Sequence, residues 1–197
     1  MIAFIRGKVA DCHPTHVIVE ASGVGYWINI SLNTYSKIRE LKEVQILTHQ
    51  IIREDGHFLY GFSEDDERQL FIHLLSVNGV GANTARVILS SLEPQSIREA
   101  IQFGDDQVFR KVKGVGPKTA QRIIIDLKDK VGKESVGLIP GAKVNIDGIG
   151  RTEATSALVA LGFNRAQVEQ VMRTFNPQEL KEQNLEDLIK NCLKKLS

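Results

Sequence analysis

Apolar and polar positions alternate through the first third of the chain, and the period then becomes helical. Ile2 to Val9, His16 to Ala21, Gly25 to Ile30, Gln45 to Arg53 and His57 to Phe62 are short, rich in Val, Ile and aromatic residues, and separated by turn residues. That pattern predicts five strands, with turns at Ser22 to Gly25 and Asp55-Gly56 and a short helix over Leu32 to Leu41. Five short strands in so small a region point to a closed Greek-key barrel of the OB type; an SH3-like barrel fits the same pattern. From Ser63 the apolar positions recur at helical spacing. Ser63, with Asp66 and Glu67 behind it, reads as an N-cap followed by acids at the positive end of a helix dipole. Helices are expected over Gln69 to Leu75, Gln95 to Phe103 (stopped by Gly104) and Asp106 to Lys111.

Residues 132 to 150 break the pattern. Gly132, Gly137, Pro140, Gly141, Gly148 and Gly150 stand among few charges with no periodicity, the composition of a flexible linker. Beyond it, helices are expected over Thr152 to Leu161 (closed by Gly162), Arg165 to Phe175, and Asn184 to Leu196. The last carries Leu185, Leu188, Ile189, Cys192 and Leu196 on one stripe. The expected organisation is therefore multidomain α+β: a barrel over 1–62, a helical domain over 63–132, a linker over 133–150, and a small three-helix module over 151–197. So small a module has a marginal core and suits a docking role.

A repeated unit inside the helical region carries the chemistry. Asn78-Gly79-Val80-Gly81-Ala82-Asn83-Thr84-Ala85 recurs as Lys113-Gly114-Val115-Gly116-Pro117-Lys118-Thr119-Ala120, and the match continues through Ile88/Ile123 and Leu92/Leu127. Two glycines around one apolar residue permit a tight turn with positive φ and close approach of a ligand. A helix follows each turn, and free amides at a helix N-terminus attract anions such as phosphate. One Gly-x-Gly is weak evidence, because many packing turns use it. A whole repeated helix–turn–helix unit is much stronger, and both copies resemble helix–hairpin–helix motifs, which grip nucleic-acid backbones without regard to sequence.

Charge supports this locally, not globally. The 197 residues carry a formal net charge of +1, which by itself argues against a nucleic-acid binder. Between Val108 and Lys130, however, Arg110, Lys111, Lys113, Lys118, Arg122, Lys128 and Lys130 face only Asp126 and Asp129, and this stretch brackets the second Gly-x-Gly. Cys12 and Cys192 form neither a disulfide framework nor a metal-ligand pattern, which fits a reducing cytoplasm. No apolar run reaches membrane-span length, and the opening residues lack a signal-peptide layout. The five histidines show no ligand spacing, and no Gly-x-x-x-x-Gly-Lys-[Ser/Thr] occurs. At the tip of the last barrel hairpin, Asp55-Gly56 is a type I′ signal that puts Glu54 and Asp55 at an exposed apex. These are either solvated turn residues or carboxylates aimed to repel a phosphate backbone.

The order of parts resembles the RuvA family of bacterial Holliday-junction recognition proteins. The resemblance rests on an OB-like barrel, an Arg53-Glu54-Asp55 turn leading into Leu59-Tyr60-Gly61-Phe62, tandem hairpins, a loose linker and Ala157-Leu-Val-Ala-Leu-Gly-Phe163. It implies a four-fold homotetramer, or an octamer of two tetramers, holding a four-way junction open and square-planar. Backbone contacts would fall to Gly79, Val80, Gly81 and Thr84 in the first hairpin, and to Gly114, Val115, Gly116, Lys118, Thr119 and Arg122 in the second. Glu54 and Asp55 would form a central acidic pin. Leu158, Leu161 and Phe163 would dock the RuvB ring ATPase, and the RuvC resolvase is a further implied partner. No catalytic residue, metal or cofactor is implied for this chain; ATP and Mg²⁺ would belong to the motor. One departure stands out: many members carry Pro-Lys after the first Gly-x-Gly, where this chain has Ala82-Asn83.

Two other readings compete. A helix–hairpin–helix DNA glycosylase/lyase would use Lys118 as a Schiff-base nucleophile, but that needs a desolvated pocket and a catalytic aspartate downstream, where the glycine-rich segment lies. A scaffold that binds duplex generically, or ignores DNA, leaves the repeat or the acidic apex without a role.

Overall fold

The computed structural model describes residues 1–134, 154–175 and 185–196. Strands β1 (Phe4–His13), β2 (His16–Ala21), β3 (Val24–Ile30), β4 (Glu43–Arg53) and β5 (Gly56–Phe62) close a barrel in the order β1-β2-β3-β5-β4. β3 and β5 pair in parallel and the other pairs are antiparallel, with β1 closing on β4. This is the OB arrangement, and it decides against the SH3-like alternative. Val17, Val19, Ile28, Ile30 and Ile46 alternate into the barrel core, as the period of a half-buried strand requires. β1 runs to His13, beyond the expected Val9, because a bulge between Val9 and Asp11 lets it stay paired with β2.

The turn chemistry departs from expectation. Ser22 (φ 53°) and Gly23 (φ 82°) both have positive φ between the paired Ala21 and Val24, so the I′-type geometry lies in the β2–β3 turn. In the β4–β5 turn, Arg53 pairs with Gly56, leaving Glu54 and Asp55 as the loop. Neither has positive φ, so the expected Asp55-Gly56 I′ turn is shifted by one residue and is of another type; Gly56 (φ 152°) absorbs the unusual backbone.

Helix α1 (Leu32–Ile38) links β3 to β4 and stops short of the expected Leu41. Five helices follow: α2 (Asp65–Leu75), α3 (Ala82–Ser91), α4 (Pro94–Phe103), α5 (Asp106–Arg110) and α6 (Pro117–Glu134). Gly104 ends α4 in the left-handed conformation (φ 76°). Ser63 is not the N-cap of α2. Glu64 takes that position without a side-chain cap bond, the Ser63 amide donates to Thr34 Oγ1 at 3.2 Å, and the Ser63 hydroxyl is buried with no partner.

Barrel and helices share one interface. Phe71 of α2 is fully buried, with its ring centroid 5.0 Å from both Tyr60 and Phe62 of β5. Glu67, one turn earlier, is buried and accepts hydrogen bonds from the hydroxyls of Ser31 and Thr34 (2.7 Å) at the start of α1. Arg98 of α4 also pairs with Asp66. Met1–Leu138 accordingly forms one compact unit, and Ile139–Ser197 a second.

The second unit holds helix α7 (helical over 154–160), α8 (Arg165–Met172) and α9 (Leu185–Leu196). Gly162 (φ 99°) turns the chain after α7, and the Asn164 side chain caps α8 by accepting from the Ala166 amide at 2.9 Å. Ala154, Leu158, Val168, Met172, Phe175, Leu188 and Cys192 form the core. Burial raises the Cys192 thiol pKa, consistent with its packing role. The expected linker lies outside the described residues, except that 133 and 134 still belong to α6.

Candidate nucleic-acid interface

The repeat extends to individual hydrogen bonds. In the first hairpin the Val77 amide donates to Leu74 O (3.1 Å), Val80 to Val77 O (3.0 Å) and Ala85 to Gly81 O (2.9 Å). In the second, Val112 donates to Phe109 O (3.0 Å), Val115 to Val112 O (3.1 Å) and Ala120 to Gly116 O (2.9 Å). Gly79 and Gly114 take φ values of 90° and 88°, a region costly for residues with a Cβ. Val80 and Val115, each 6 % exposed, anchor the turns in the core.

That anchoring corrects one expectation. With side chains buried and amides spent inside the hairpin, Val80 and Val115 hold the turn's shape and have no free group for a phosphate. The groups that face outward are others. Gly81 and Gly116 are exposed, and a Cβ built on either would meet nothing within 4 Å. Gly81 also has an ordinary extended backbone (φ −87°, ψ 171°). Packing within the chain does not require glycine there, and the surface beside it is open. Behind Gly81, the amides of Ala82, Asn83 and Thr84 precede the first intrahelical bond and lack acceptors in their own helix; a glycine N-cap has no side chain to supply one. In the second copy Pro117 opens α6 and has no N–H of its own to satisfy, leaving Lys118 and Thr119 in the equivalent places. Thr84 and Thr119 are both half-buried, while Lys118 and Arg122 are exposed. An exposed Lys118 lacks the desolvated setting a Schiff-base lysine needs, which weighs against the lyase reading.

The two copies differ in charge. Lys111, Lys113, Lys118 and Arg122 of the second are matched by Ser76, Asn78, Asn83 and Val87 in the first. Arg86 of the first is directed elsewhere: it donates to Thr15 O (2.9 Å) and lies 3.4 Å from Asn29 Oδ1, tying α3 to the barrel.

Glu54 and Asp55 are exposed at the β4–β5 apex, and the stem of that hairpin is braced by Ile51 and Phe58, which pack against the helical core. Sequence reasoning gave Glu67 only a dipole role, although its alignment with Leu70, Phe71 and Leu74 on the apolar face of α2 was a readable signal of burial. Burial raises the Glu67 carboxyl pKa, opposed by the two hydroxyl donors. His49, edge-on to Phe71 at 5.8 Å, has its pKa lowered by burial and then by Arg68; both groups belong to the barrel–helix seam.

The expected docking residues separate. Leu158 is 0 % exposed and belongs to the three-helix core, so it cannot line a docking surface in this conformation; Leu161 is 62 % exposed, and Phe163 is partly buried against the core. Among the described residues, no group of three or more His, Cys, Asp or Glu side chains could hold a metal, and no helix is long and apolar enough to cross a membrane.

Comparison with known proteins agrees with this layout along the whole chain. Residues 1–61 match the RuvA N-terminal domain, 71–129 a SAM-like helix-hairpin-helix tandem, and 150–197 the RuvA C-terminal domain. Relatives from Christiangramia forsetii and Flavobacterium psychrophilum are each 44 % identical, and one from Bacteroides thetaiotaomicron is 40 % identical, with the whole of each chain covered. Each is named Holliday junction branch migration complex subunit RuvA. With OB barrel, tandem hairpins and C-terminal module in this order, the chain belongs to the RuvA family.

Proposed function

We propose that this chain is the DNA-binding subunit of a branch-migration complex, and that it binds four-way junctions by their backbones and holds them open. The observation that carries the reading is the pair of hairpins with corresponding hydrogen bonds and glycine φ values, whose outer glycines, Gly81 and Gly116, leave open surface beside them. Backbone amides and Thr84, Lys118, Thr119 and Arg122 meet phosphates, and sequence independence follows because no base edge is read. Glu54 and Asp55 act as the pin, repelling phosphates at the crossover so that strands separate there.

The protein assembles as a homotetramer, or as two tetramers face to face, so that cyclic symmetry matches four DNA arms. The C-terminal unit recruits a RuvB-type ring ATPase through an apolar patch that includes Leu161 and Phe163. ATP and Mg²⁺ are handled by that motor, RuvC-type resolvase acts on the same junction, and the setting is cytoplasmic recombinational repair.

The test is a competition between a synthetic four-way junction and linear duplex of the same arm sequences over a salt series. Affinity for both falls with salt as phosphate contacts release counterions. A strong junction preference that persists as salt rises is the expected result; equal affinity would reduce the protein to a generic duplex binder.

A further inference from the structure

The first hairpin has lost its cations in sequence, but the fold brings one back. Lys130 lies near the end of α6, remote in sequence from the first Gly-x-Gly. Its Nζ donates to the Ser76 hydroxyl at 2.7 Å in an exposed setting. Ser76 is the C-cap of α2, the last residue before Val77-Asn78-Gly79. In the repeat, Ser76 aligns with Lys111. An ammonium from α6 therefore lies beside the position at which the other copy carries its own lysine.

We infer that Lys130 is a phosphate-binding residue of the first hairpin, supplied within the same chain by the helix of the second. The inference rests on the DNA-backbone reading above. Three features favour it over a plain structural staple. Ser76 Oγ already donates to His73 O at 2.7 Å, so the serine is held in place without the lysine. The acceptor is a neutral hydroxyl, so the lysine's charge is not cancelled by this partner. The long, flexible lysine stem can also swing its charge toward an incoming phosphate. Each hairpin would then pair a neutral, amide-rich turn with a cation, from its own sequence in the second copy and from α6 in the first.

The test measures junction affinity of the full-length chain over a salt series. Lys130→Gln should weaken binding severalfold and flatten the log–log salt slope by about one for each engaged subunit. Lys130→Arg should bind like the parent. Asn83→Lys placed in the Lys130→Gln background should recover the slope by returning a cation to the first hairpin from its own sequence. Ser76→Ala should cause no loss, because it removes only the resting partner of the ammonium. An unchanged slope in folded Lys130→Gln, or a loss of affinity in Ser76→Ala equal to that of Lys130→Gln, would overturn the assignment. A parent chain whose DNA affinity ignores salt would instead overturn the backbone-binding reading, and this inference with it.

Discussion

The two hairpins have the same backbone and different chemistry. Gly79 and Gly114 share a φ near 90°, the internal hydrogen bonds correspond one to one, and Val80 and Val115 are equally buried. Yet Lys111, Lys113, Lys118 and Arg122 are replaced by Ser76, Asn78, Asn83 and Val87. The shared part is what the turn needs in order to form; the divergent part is the charge it displays on the surface. The pair separates geometry from charge within one molecule, as a mutation series would.

The most damaging change should be to the geometry. Gly79→Val with Gly114→Val forces two β-branched residues into a positive-φ region, at about 1–3 kcal/mol each. Loss of most DNA affinity together with a lower thermal midpoint is expected, in titration and in calorimetry respectively. Changing charge while keeping geometry should do less. Lys118→Ala should flatten the salt slope by about one per engaged subunit, and Asn83→Lys should steepen it by the same amount, with the thermal midpoint unmoved in both. A slope that moves in Lys118→Ala but not in Asn83→Lys would mean that the hairpins do not meet phosphates in equivalent ways. Smaller again is the effect of the apex: Glu54→Gln with Asp55→Asn should leave junction affinity equal or modestly tighter, and clearly weaker binding by a folded variant would remove the pin.

The smallest effect concerns the seam that positions pin and hairpins. Burial raises the Glu67 pKa, so the folded state holds this proton more tightly than the unfolded state does. The contribution is therefore fully present below the ordinary carboxylate range and is lost as pH rises through the raised folded value. The thermal midpoint of the parent should carry that downward component with rising pH, and Glu67→Gln should flatten it.

Most of the architecture was legible because it rests on local periodicity. Alternation marked the five strands, and Gly104 marked the end of α4. The repeated Gly-x-Gly marked the candidate interface in the sequence itself. What was misread depended on partners distant in sequence. Glu67 looked like a dipole acid, because its hydroxyl partners lie on α1 across the barrel seam. Ser63 looked like a cap, but Thr34 takes its amide. Asp55-Gly56 carried the stronger turn signal, yet strand register left Glu54-Asp55 in the loop and put the positive-φ pair at Ser22-Gly23. Leu158 and Leu161 are both apolar on one helical segment, and only packing against Val168 and Leu188 separates the buried one from the exposed one. Lys130 was visible as part of a basic stretch; its place beside the other hairpin was not, because it depends on how α6 returns past α2.

On the backbone-binding proposal, the outer glycines keep open a site for a phosphate backbone. Gly81→Ala with Gly116→Ala tests it most directly, since an added Cβ meets nothing within 4 Å at either position. Calorimetry of the double variant should give a thermal midpoint close to that of the parent, because the lower entropy of the unfolded chain offsets the poorer N-cap that alanine makes at Gly81. Titration with a four-way junction should show affinity reduced at least tenfold, about 1.4 kcal/mol. Unchanged junction affinity in that folded variant would contradict the account, because the space beside Gly81 and Gly116 would then have no occupant.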